Sequence, residues 1–309
     1  RALTARSNVE LIPAMVTSLD AERRILRDEA GRETEFDDVV LANSFGFNDL
    51  AEQLGFAGRV PYLVRVYGVG LRAPVKAERP AVVRTPVYGA SCGDYAVHFP
   101  GFTYVGASAL TNTHRVEITS QVQRSLDFHD PQANLNGLTL TGGIRAMSQD
   151  TYPLIGRLTD GIWAAAGFFK SGVTLAPYVA DLLGRELLGE AQVHDNRFGP
   201  YRRLGEASPS VSELTETIWG EIESSATSSG SRAQLRRHDW LVKLLVRMQV
   251  IRTTAKFRRG LYYNSDLVQL AIYDRSMLDR LNLYRPGEAP PDAAPEERPP
   301  ADLPHREAA

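Results

Sequence analysis

A stretch between residues 142 and 188 constrains this sequence most, because a short apolar run, a glycine-bounded turn and a helical pattern follow one another in it. The apolar run 162–166 is unbroken, which is typical of a strand buried on both faces. Gly167 and Gly172 bound the turn, and Gly189 ends the helical pattern as a C-cap does. The residues that recur at helical spacing are Val173, Ala176, Val179, Ala180, Leu183 and Leu187.

A strand, a turn and a helix in this order form a site suited to an anionic group. The first backbone N–H groups of a helix have no partner within it, and the helix dipole favours negative charge at that end. Such units also occur where nothing binds, so a purely structural unit is the alternative. Pro177 fits the predicted helix only near its first turn or at a kink.

Short motifs before and within the turn narrow the interpretation. Gly143-Ile-Arg145, Asp150 and Pro153-Leu-Ile-Gly156 are followed, at one consistent spacing, by Ala165-Ala-Gly167 and Leu175-Ala-Pro177. This order resembles the C-terminal flavin segment of the D-amino-acid oxidase / glycine oxidase family, in which a "GLRP…D…P.IG" segment precedes "AAGH.RNGILLAP". The resemblance implies an FAD-dependent oxidoreductase that oxidises a C–N bond of a small amine or amino acid.

Three positions depart from the family pattern. Ala146 stands at the family's proline, Phe168 at its common histidine and Lys170 at its second arginine. Phe168 replaces a titratable group by an apolar wall, and Lys170 lacks the planar fork with which arginine holds a carboxylate. These changes affect the identity of the substrate more than the binding of flavin.

The resemblance assigns two catalytic residues and a set of cofactor-binding residues. Arg145 matches the family arginine that binds the substrate carboxylate in front of the flavin, and a guanidinium suits this task because it offers two parallel donors. Lys170 would stabilise the negative charge of the reduced flavin. The alternatives are an Arg145 paired with Asp150 or a backbone carbonyl, and a solvated Lys170. The predicted cofactor-binding residues are Val16, Arg145, Gly167, Phe168, Phe169, Lys170, Ser171, Gly172, Val173 and Thr174.

The N-terminal part of the chain resembles another section of the same family. Strands are predicted over 7–19, 23–27 and 37–42, and the pattern is similar to "V.L….V..I…DG….AD.VVLA.G", the second part of the FAD-binding domain. The resemblance implies that the backbone of Val16 lies against the adenine end of FAD; a valine that only fills a strand is the alternative. Ser44 stands where the family usually has glycine.

Residues 56–135 change to short β-rich segments separated by Gly and Pro. Strands predicted over 60–66, 81–87, 95–99 and 103–107, with a helix over 118–128, indicate an antiparallel sheet that corresponds to the family's substrate domain. Tyr95 and His98 are candidates to face the pocket, with core or surface roles as the alternative.

Residues 68–73 match the dinucleotide-binding pattern GxGxxA. Pro74 and Pro80 leave no helix that would receive a pyrophosphate, and the required βαβ unit is missing. The pattern is therefore rejected as a cofactor site, and a turn between strands is predicted instead.

The chain after residue 205 resembles no family. A Ser-rich linker with one short acidic helix is predicted over 206–231, with a capping box at Ser210 and Glu213. Residues 232–260 contain nine Lys/Arg and one Asp, a net charge of +8, with Trp240, Leu244, Met248 and Ile251 spaced to share a helical face. This basic helix either packs within the protein, lies on an anionic membrane or binds a protein or nucleic-acid partner.

Composition excludes several classes of protein. A net charge of −2 over 309 residues argues against a whole-chain nucleic-acid binder, and no nucleic-acid partner is expected. Cys92 is the single cysteine, which excludes a disulfide framework and a multi-cysteine zinc site, and no metal is predicted. Position 143, where some relatives attach flavin covalently, is glycine, so FAD is predicted to bind non-covalently. No apolar run reaches the length of a membrane span, and a cytoplasmic protein is predicted, with peripheral membrane contact as the alternative.

The predicted fold is α/β (α+β): an incomplete FAD-binding domain with an inserted antiparallel substrate domain and a helical C-terminal extension. The strand–GxGxxG–helix unit that opens such flavin domains is missing from the sequence, so a longer chain or a second chain is expected to supply it. A non-catalytic, degenerate member of the fold that acts through the basic helix is the alternative function. The predicted boundaries are 1–55 and 136–205 for the FAD-binding domain, 56–135 for the substrate domain, 206–231 for the linker, 232–285 for the basic helical extension with a helix over 261–283, and 286–309 for a disordered tail.

Overall fold

The computed structural model describes residues 8–74, 81–84, 95–110, 137–190, 197–204, 207–228, 232–273 and 275–285. Within these residues the chain forms three β-sheets and seven α-helices, a mixed α/β fold. The helix predicted over 118–128, Cys92 and the tail from residue 286 lie outside the described residues.

A small antiparallel sheet comes first. β1 (Val16–Asp20) pairs with β2 (Ile25–Asp28), and β2 pairs with β3 (Glu33–Glu35). The prediction of a strand over 7–19 is wrong for residues 8–15, which have no regular structure and include Pro13, a residue that cannot donate to a sheet. The second strand begins later than predicted because Arg24 takes a left-handed conformation (φ 53°) in the preceding turn.

The second sheet contains the predicted buried strand. β10 (Leu154–Thr159) pairs antiparallel with β11 (Ile162–Ala166), and β11 pairs parallel with β4 (Val39–Leu41). β11 has the predicted bounds, and four of its five residues are buried. The strand predicted over 37–42 is shorter than expected, and only its Leu41 is buried.

Helices follow two strands of this sheet. α1 (Phe47–Gln53) follows β4 after a 3-10 turn (Ser44–Gly46), and α2 (Gly172–Leu187) follows β11 after the glycine-bounded turn. Gly189 takes the left-handed conformation (φ 75°) predicted beyond the end of α2. The predicted apolar face of α2 is only partly buried: Val179 and Leu183 are buried, but Val173 is 93% exposed.

The third sheet is antiparallel, with the strand order β6-β7-β8-β5-β9. The strand predicted over 95–99 has the observed bounds, those predicted over 60–66 and 103–107 do not, and the strand predicted over 81–87 is described only for residues 81–84. The turn predicted over 68–73 is wrong, because these residues belong to a strand held between two neighbours; the rejection of a dinucleotide-binding loop agrees with this. The strands are β5 (Val64–Ala73), β6 (Ala81–Arg84), β7 (Tyr95–Phe99), β8 (Phe102–Leu110) and β9 (Thr139–Met147).

The C-terminal extension is helical. The capping box is confirmed, because the Ser210 N–H donates to the Glu213 carboxylate (2.7 Å) and the Glu213 N–H donates to the Ser210 hydroxyl (3.2 Å). The helix that follows is longer than the short acidic helix expected there, and the segment 261–283 holds two helices rather than one. The helices are α3 (Val211–Ser228), α4 (Arg232–Arg236), α5 (Asp239–Thr254), α6 (Ser265–Tyr273) and α7 (Arg275–Asn282).

The extension packs on one face of the third sheet. Val64 and Val66 of β5 and Met147 of β9 belong to the same hydrophobic core as the extension. Tyr284 donates from its hydroxyl to the carbonyl of Arg202 (2.8 Å), and burial raises the Tyr284 pKa to about 12. The main contributors from the extension are Leu214, Ile218, Val250, Phe257, Leu261, Leu267, Val268, Leu270, Ala271, Met277, Leu278, Leu281 and Tyr284.

Candidate active site

Arg145 lies near the end of β9, on the face of the third sheet that the extension partly covers. Its register partner on β5 is Val66, and directly opposed residues share a face. The guanidinium lies over Gly68, where a Cβ atom would be 2.8 Å from Arg145 Cζ. A glycine at this position is therefore required for Arg145 to adopt its observed place.

The guanidinium of Arg145 is incompletely paired. Its Nη1 atom is buried and has no hydrogen-bond partner among the described residues. An arginine cannot escape this cost by losing its proton, and a buried charged donor without an acceptor is unfavourable. A ligand carboxylate would supply the acceptor.

Asp150, the alternative partner proposed for Arg145, is paired with Arg202 instead. Arg202 Nε and Nη2 donate to the two carboxylate oxygens at 2.8 and 2.7 Å, and both side chains are buried. Arg202 also donates to the carbonyls of Tyr152, Pro153, Phe198 and Gly199. The motif aspartate thus joins the β9–β10 connection to the segment 197–204, and it leaves Arg145 available.

Tyr104 is a site residue that the sequence analysis missed. A Cβ atom at Gly70 would lie 2.0 Å from the Tyr104 hydroxyl oxygen, so Tyr104 occupies the space over Gly70 as Arg145 does over Gly68. Gly68 and Gly70 are two residues apart on β5 and share a face, which places them about 7 Å apart. The GxG spacing that was rejected as a dinucleotide motif was the available signal.

The turn between β11 and α2 is attached to β9 through its backbone. The Phe169 N–H donates to the Ala146 carbonyl (2.9 Å), and Met147 and Phe168 form an isolated antiparallel bridge. Ala146 and Met147 directly follow Arg145 on β9, so these contacts bring the turn close to Arg145. Phe169 has a left-handed backbone (φ 50°), a conformation that bulky residues seldom adopt and that is often found at functional sites.

The N-terminus of α2 is open. Its N-cap residue Ser171 makes no side-chain capping hydrogen bond, and Val173 and Thr174 in the first turn are exposed. The first-turn N–H groups of a helix have no partner inside it, and they favour a negative charge. The edge of a flavin that becomes negative on reduction suits this position, so the residues of the turn and helix end fit FAD.

Lys170, in the turn, lies close enough to two acidic residues of the extension to act on them. Burial raises the pKa of Glu221 on α3 and of Asp266 on α6, and the positive charge of Lys170 opposes both increases. Gln269 donates to one Glu221 oxygen (2.7 Å), while the other oxygen is buried without a partner in the described part of the chain. No sequence motif signalled these acidic neighbours.

The remaining predicted residues lie elsewhere. Val16 begins β1, in a different sheet from the turn, and pairs with Asp28. His98 Nδ1 and Thr103 Oγ1 form a hydrogen bond of 2.7 Å. Tyr95 begins β7, where its backbone opposes Gly106. Across the described ranges, no group of His, Cys, Asp and Glu is arranged to hold a metal, and no helix could cross a membrane.

Comparison with protein families agrees with this fold. A family model for FAD-dependent oxidoreductases (DAO) matches residues 1–186, more than half of the chain. The chain therefore belongs to this family of FAD-dependent oxidoreductases. No curated protein sequence matches it.

Solved flavoenzyme structures share the fold. The L-proline dehydrogenase from P. horikoshii is 20% identical, with a TM-score of 0.50 over 62% of this chain and 54% of that one. The glycine oxidase from Geobacillus kaustophilus is 23% identical (TM-score 0.46, 60% and 50% covered), and the iminodiacetate oxidase from Chelativorans sp. BNC1 is 20% identical (TM-score 0.47, 60% and 52% covered). The chain thus spans about half the length of these enzymes.

Proposed function

We propose that the chain forms part of an enzyme that uses FAD to oxidise the C–N bond of a small amine or amino acid bearing a carboxylate. The observation that carries this proposal is the state of Arg145. Its buried Nη1 lacks a hydrogen-bond partner among the described residues, and its strand β9 is hydrogen-bonded to the turn between β11 and α2. A carboxylate is the group that best matches the paired donors of a guanidinium.

Arg145 and Tyr104 together hold the substrate carboxylate. Both lie over glycines of β5, because Gly68 and Gly70 have no side chains and so leave room for the guanidinium and the phenol. A substrate whose carboxylate is held in this way directs the carbon that bears nitrogen toward the turn. Orientation of this kind can contribute several kcal/mol, roughly 7–11 in favourable cases, to lowering a barrier.

The turn and the open end of α2 would hold FAD non-covalently, and the bound cofactor would supply the redox chemistry as the acceptor of hydride from the carbon that bears nitrogen. The backbone N–H groups of Gly172, Val173 and Thr174 would offset negative charge on the cofactor. Lys170 adds a positive charge, which also acts on the carboxyl groups of Glu221 and Asp266. The backbone of Val16 would hold the adenine end of FAD. No protein base is needed when the substrate amine arrives neutral.

A strand–GxGxxG–helix unit completes the cofactor site, either on a second chain or in another part of the same polypeptide. β4 supports this assignment, because it lies at the edge of its sheet among the described strands, with the parallel β11 on one side only, and Val40 on it is exposed. Strands with parallel neighbours are usually buried on both faces rather than left at an open edge.

A non-catalytic interaction module is the second candidate function. It is favoured by the apolar side chains exposed on α5. It gives no reason for the unpaired Nη1 of Arg145, so the catalytic function accounts for more of the molecule.

Kinetics of the FAD-loaded protein, with its dinucleotide-binding unit, test the catalytic proposal. Arg145→Lys keeps the charge but loses the paired donors. We expect kcat/KM for a carboxylate substrate to fall about 30- to 100-fold, roughly 2–3 kcal/mol, mainly through KM and with FAD occupancy unchanged. Arg65→Lys, on the opposite face of β5, is the matched control and should change neither quantity. Unchanged kinetics in Arg145→Lys at full flavin occupancy would remove Arg145 from the site.

A further inference from the structure

Helix α5 exposes an apolar face that nothing in the described structure covers. Six large apolar residues on it are each between 40% and 67% exposed. The opposite side of the helix is packed in the extension, where Val250 and Thr253 are buried and Val246 is partly buried. The exposed residues are Trp240, Leu241, Leu244, Leu245, Met248 and Ile251.

The exposed residues form one continuous face rather than scattered positions. At about 100° per residue, they cover an arc of about 140° around the helix axis. The centre of this arc lies about 180° from the buried side. Scattered single apolar residues on a surface are ordinary, but a contiguous apolar face of this kind marks an interaction site.

Positive charges lie at the apolar face. On the same angular scale Arg247 lies just outside the arc, beside Trp240, and Arg252 lies within the arc, between Leu241 and Leu245; both arginines are exposed. Arg236 and Arg237, just before α5, and Lys256, just after it, are exposed as well. Lys243, further round, is paired with Glu216 (2.7 Å).

Charge is strongly separated within the chain. Residues 232–260 carry nine Lys/Arg and one Asp, a net charge of +8, whereas the whole chain carries −2, so the other residues carry −10. A second copy of the chain that docked through the same face would bring the same positive charges to it and be repelled. An anionic lipid surface offers both headgroup charge for the arginines and an acyl boundary for the apolar residues.

We propose that this face of α5 binds an anionic membrane surface. The helix lies parallel to the bilayer, with Trp240 and the leucines at the acyl boundary and Arg247 and Arg252 among the headgroups.

Co-sedimentation of the full chain with vesicles tests this proposal. Phosphatidylcholine vesicles with phosphatidylserine should pellet the protein, vesicles of phosphatidylcholine alone should not, and high salt should release it. Arg247→Gln with Arg252→Gln should weaken binding roughly 20- to 30-fold, from about 1 kcal/mol per charge near the surface. Arg23→Gln with Arg185→Gln, on exposed positions elsewhere, is the matched control.

The apolar part of the face is tested separately. Leu244→Gln with Met248→Gln should abolish binding at unchanged thermal stability, because both side chains are exposed, while Leu140→Gln with Leu188→Gln should leave binding intact. Tryptophan emission should shift to the blue with anionic vesicles, but not in Trp240→Phe. Absence of pelleting, equal pelleting by neutral vesicles, or self-association of the chain that Leu244→Gln with Met248→Gln removes would each overturn the proposal.

Discussion

At the scale of single residues, the backbone is strained at one position where the sequence departs from the family pattern. Ser44 has a left-handed backbone (φ 57°), where relatives usually have glycine. Glycine adopts this conformation freely, whereas other residues do so at a cost. Serine at this position therefore accepts strain that a glycine would avoid.

The pair of Asp150 and Arg202 allows a prediction at the same scale. Asp150→Asn leaves the buried Arg202 without its anionic partner, so the free energy of unfolding should fall by about 3–5 kcal/mol. Asp160→Asn, which removes an exposed carboxylate that pairs with Arg24 and Arg157, should cost about 0–1 kcal/mol. Urea unfolding measures both, and equal costs would mean that the Asp150 pair contributes no more than a surface ion pair.

The candidate site was predictable from the sequence only where it is local. Arg145 and the turn belong to a motif of consecutive residues, so their spacing identifies them. Strand register places Tyr104 and Arg145 over neighbouring glycines of β5, and the docking of distant helices brings Glu221 and Asp266 within the influence of Lys170. Neither relation is encoded in local spacing.

At the scale of elements, periodicity identified helices but not their buried sides. The apolar stripe predicted on α5 is exposed, and the residues buried instead, such as Val250, lie on the other side of the helix. The stripe on α2 is also largely exposed. The full extent of β5 was not predicted, for a related reason. Gly68 and Gly70 are residues typical of turns, but in the sheet they leave space for the side chains of Arg145 and Tyr104.

The docking of α3 and α6 near the turn predicts a pH dependence. Burial places the folded-state pKa of Glu221 above its unfolded value, so its stabilising effect is complete below the unfolded pKa and is lost as the pH rises through the folded pKa. Glu221→Gln keeps an acceptor for Gln269 but cannot ionise. The variant should therefore be more stable than the wild type at neutral pH and equal to it in acid.

Urea unfolding across a pH series measures this difference. Glu216→Gln, an exposed carboxylate on the same helix, should change stability by no more than about 1 kcal/mol. A Glu221→Gln protein that is less stable than the wild type at neutral pH would show that the ionised carboxylate is well compensated by its surroundings.

At the scale of the whole molecule, the extension closes over the sheet that bears Arg145. Val64, Val66 and Met147 are buried by it, and the positive charge of Lys170 in the turn acts on its acidic residues Glu221 and Asp266. One side of the extension thus borders the candidate site, and its other side presents the apolar and basic face of α5. This arrangement would bring substrate oxidation close to a lipid surface. The division of the chain into the predicted domains stays a prediction.

The central claim is that Arg145 binds a carboxylate beside the flavin, and a ligand titration tests it most directly. Acetate, added to the FAD-loaded protein with its dinucleotide-binding unit, should perturb the flavin absorbance saturably, whereas the uncharged acetamide should not. Arg145→Met should weaken the acetate effect about 30-fold or more, since a charge-assisted pair is lost, and Arg65→Met should leave it unchanged. Equal acetate affinities in Arg145→Met and the wild type would contradict the account.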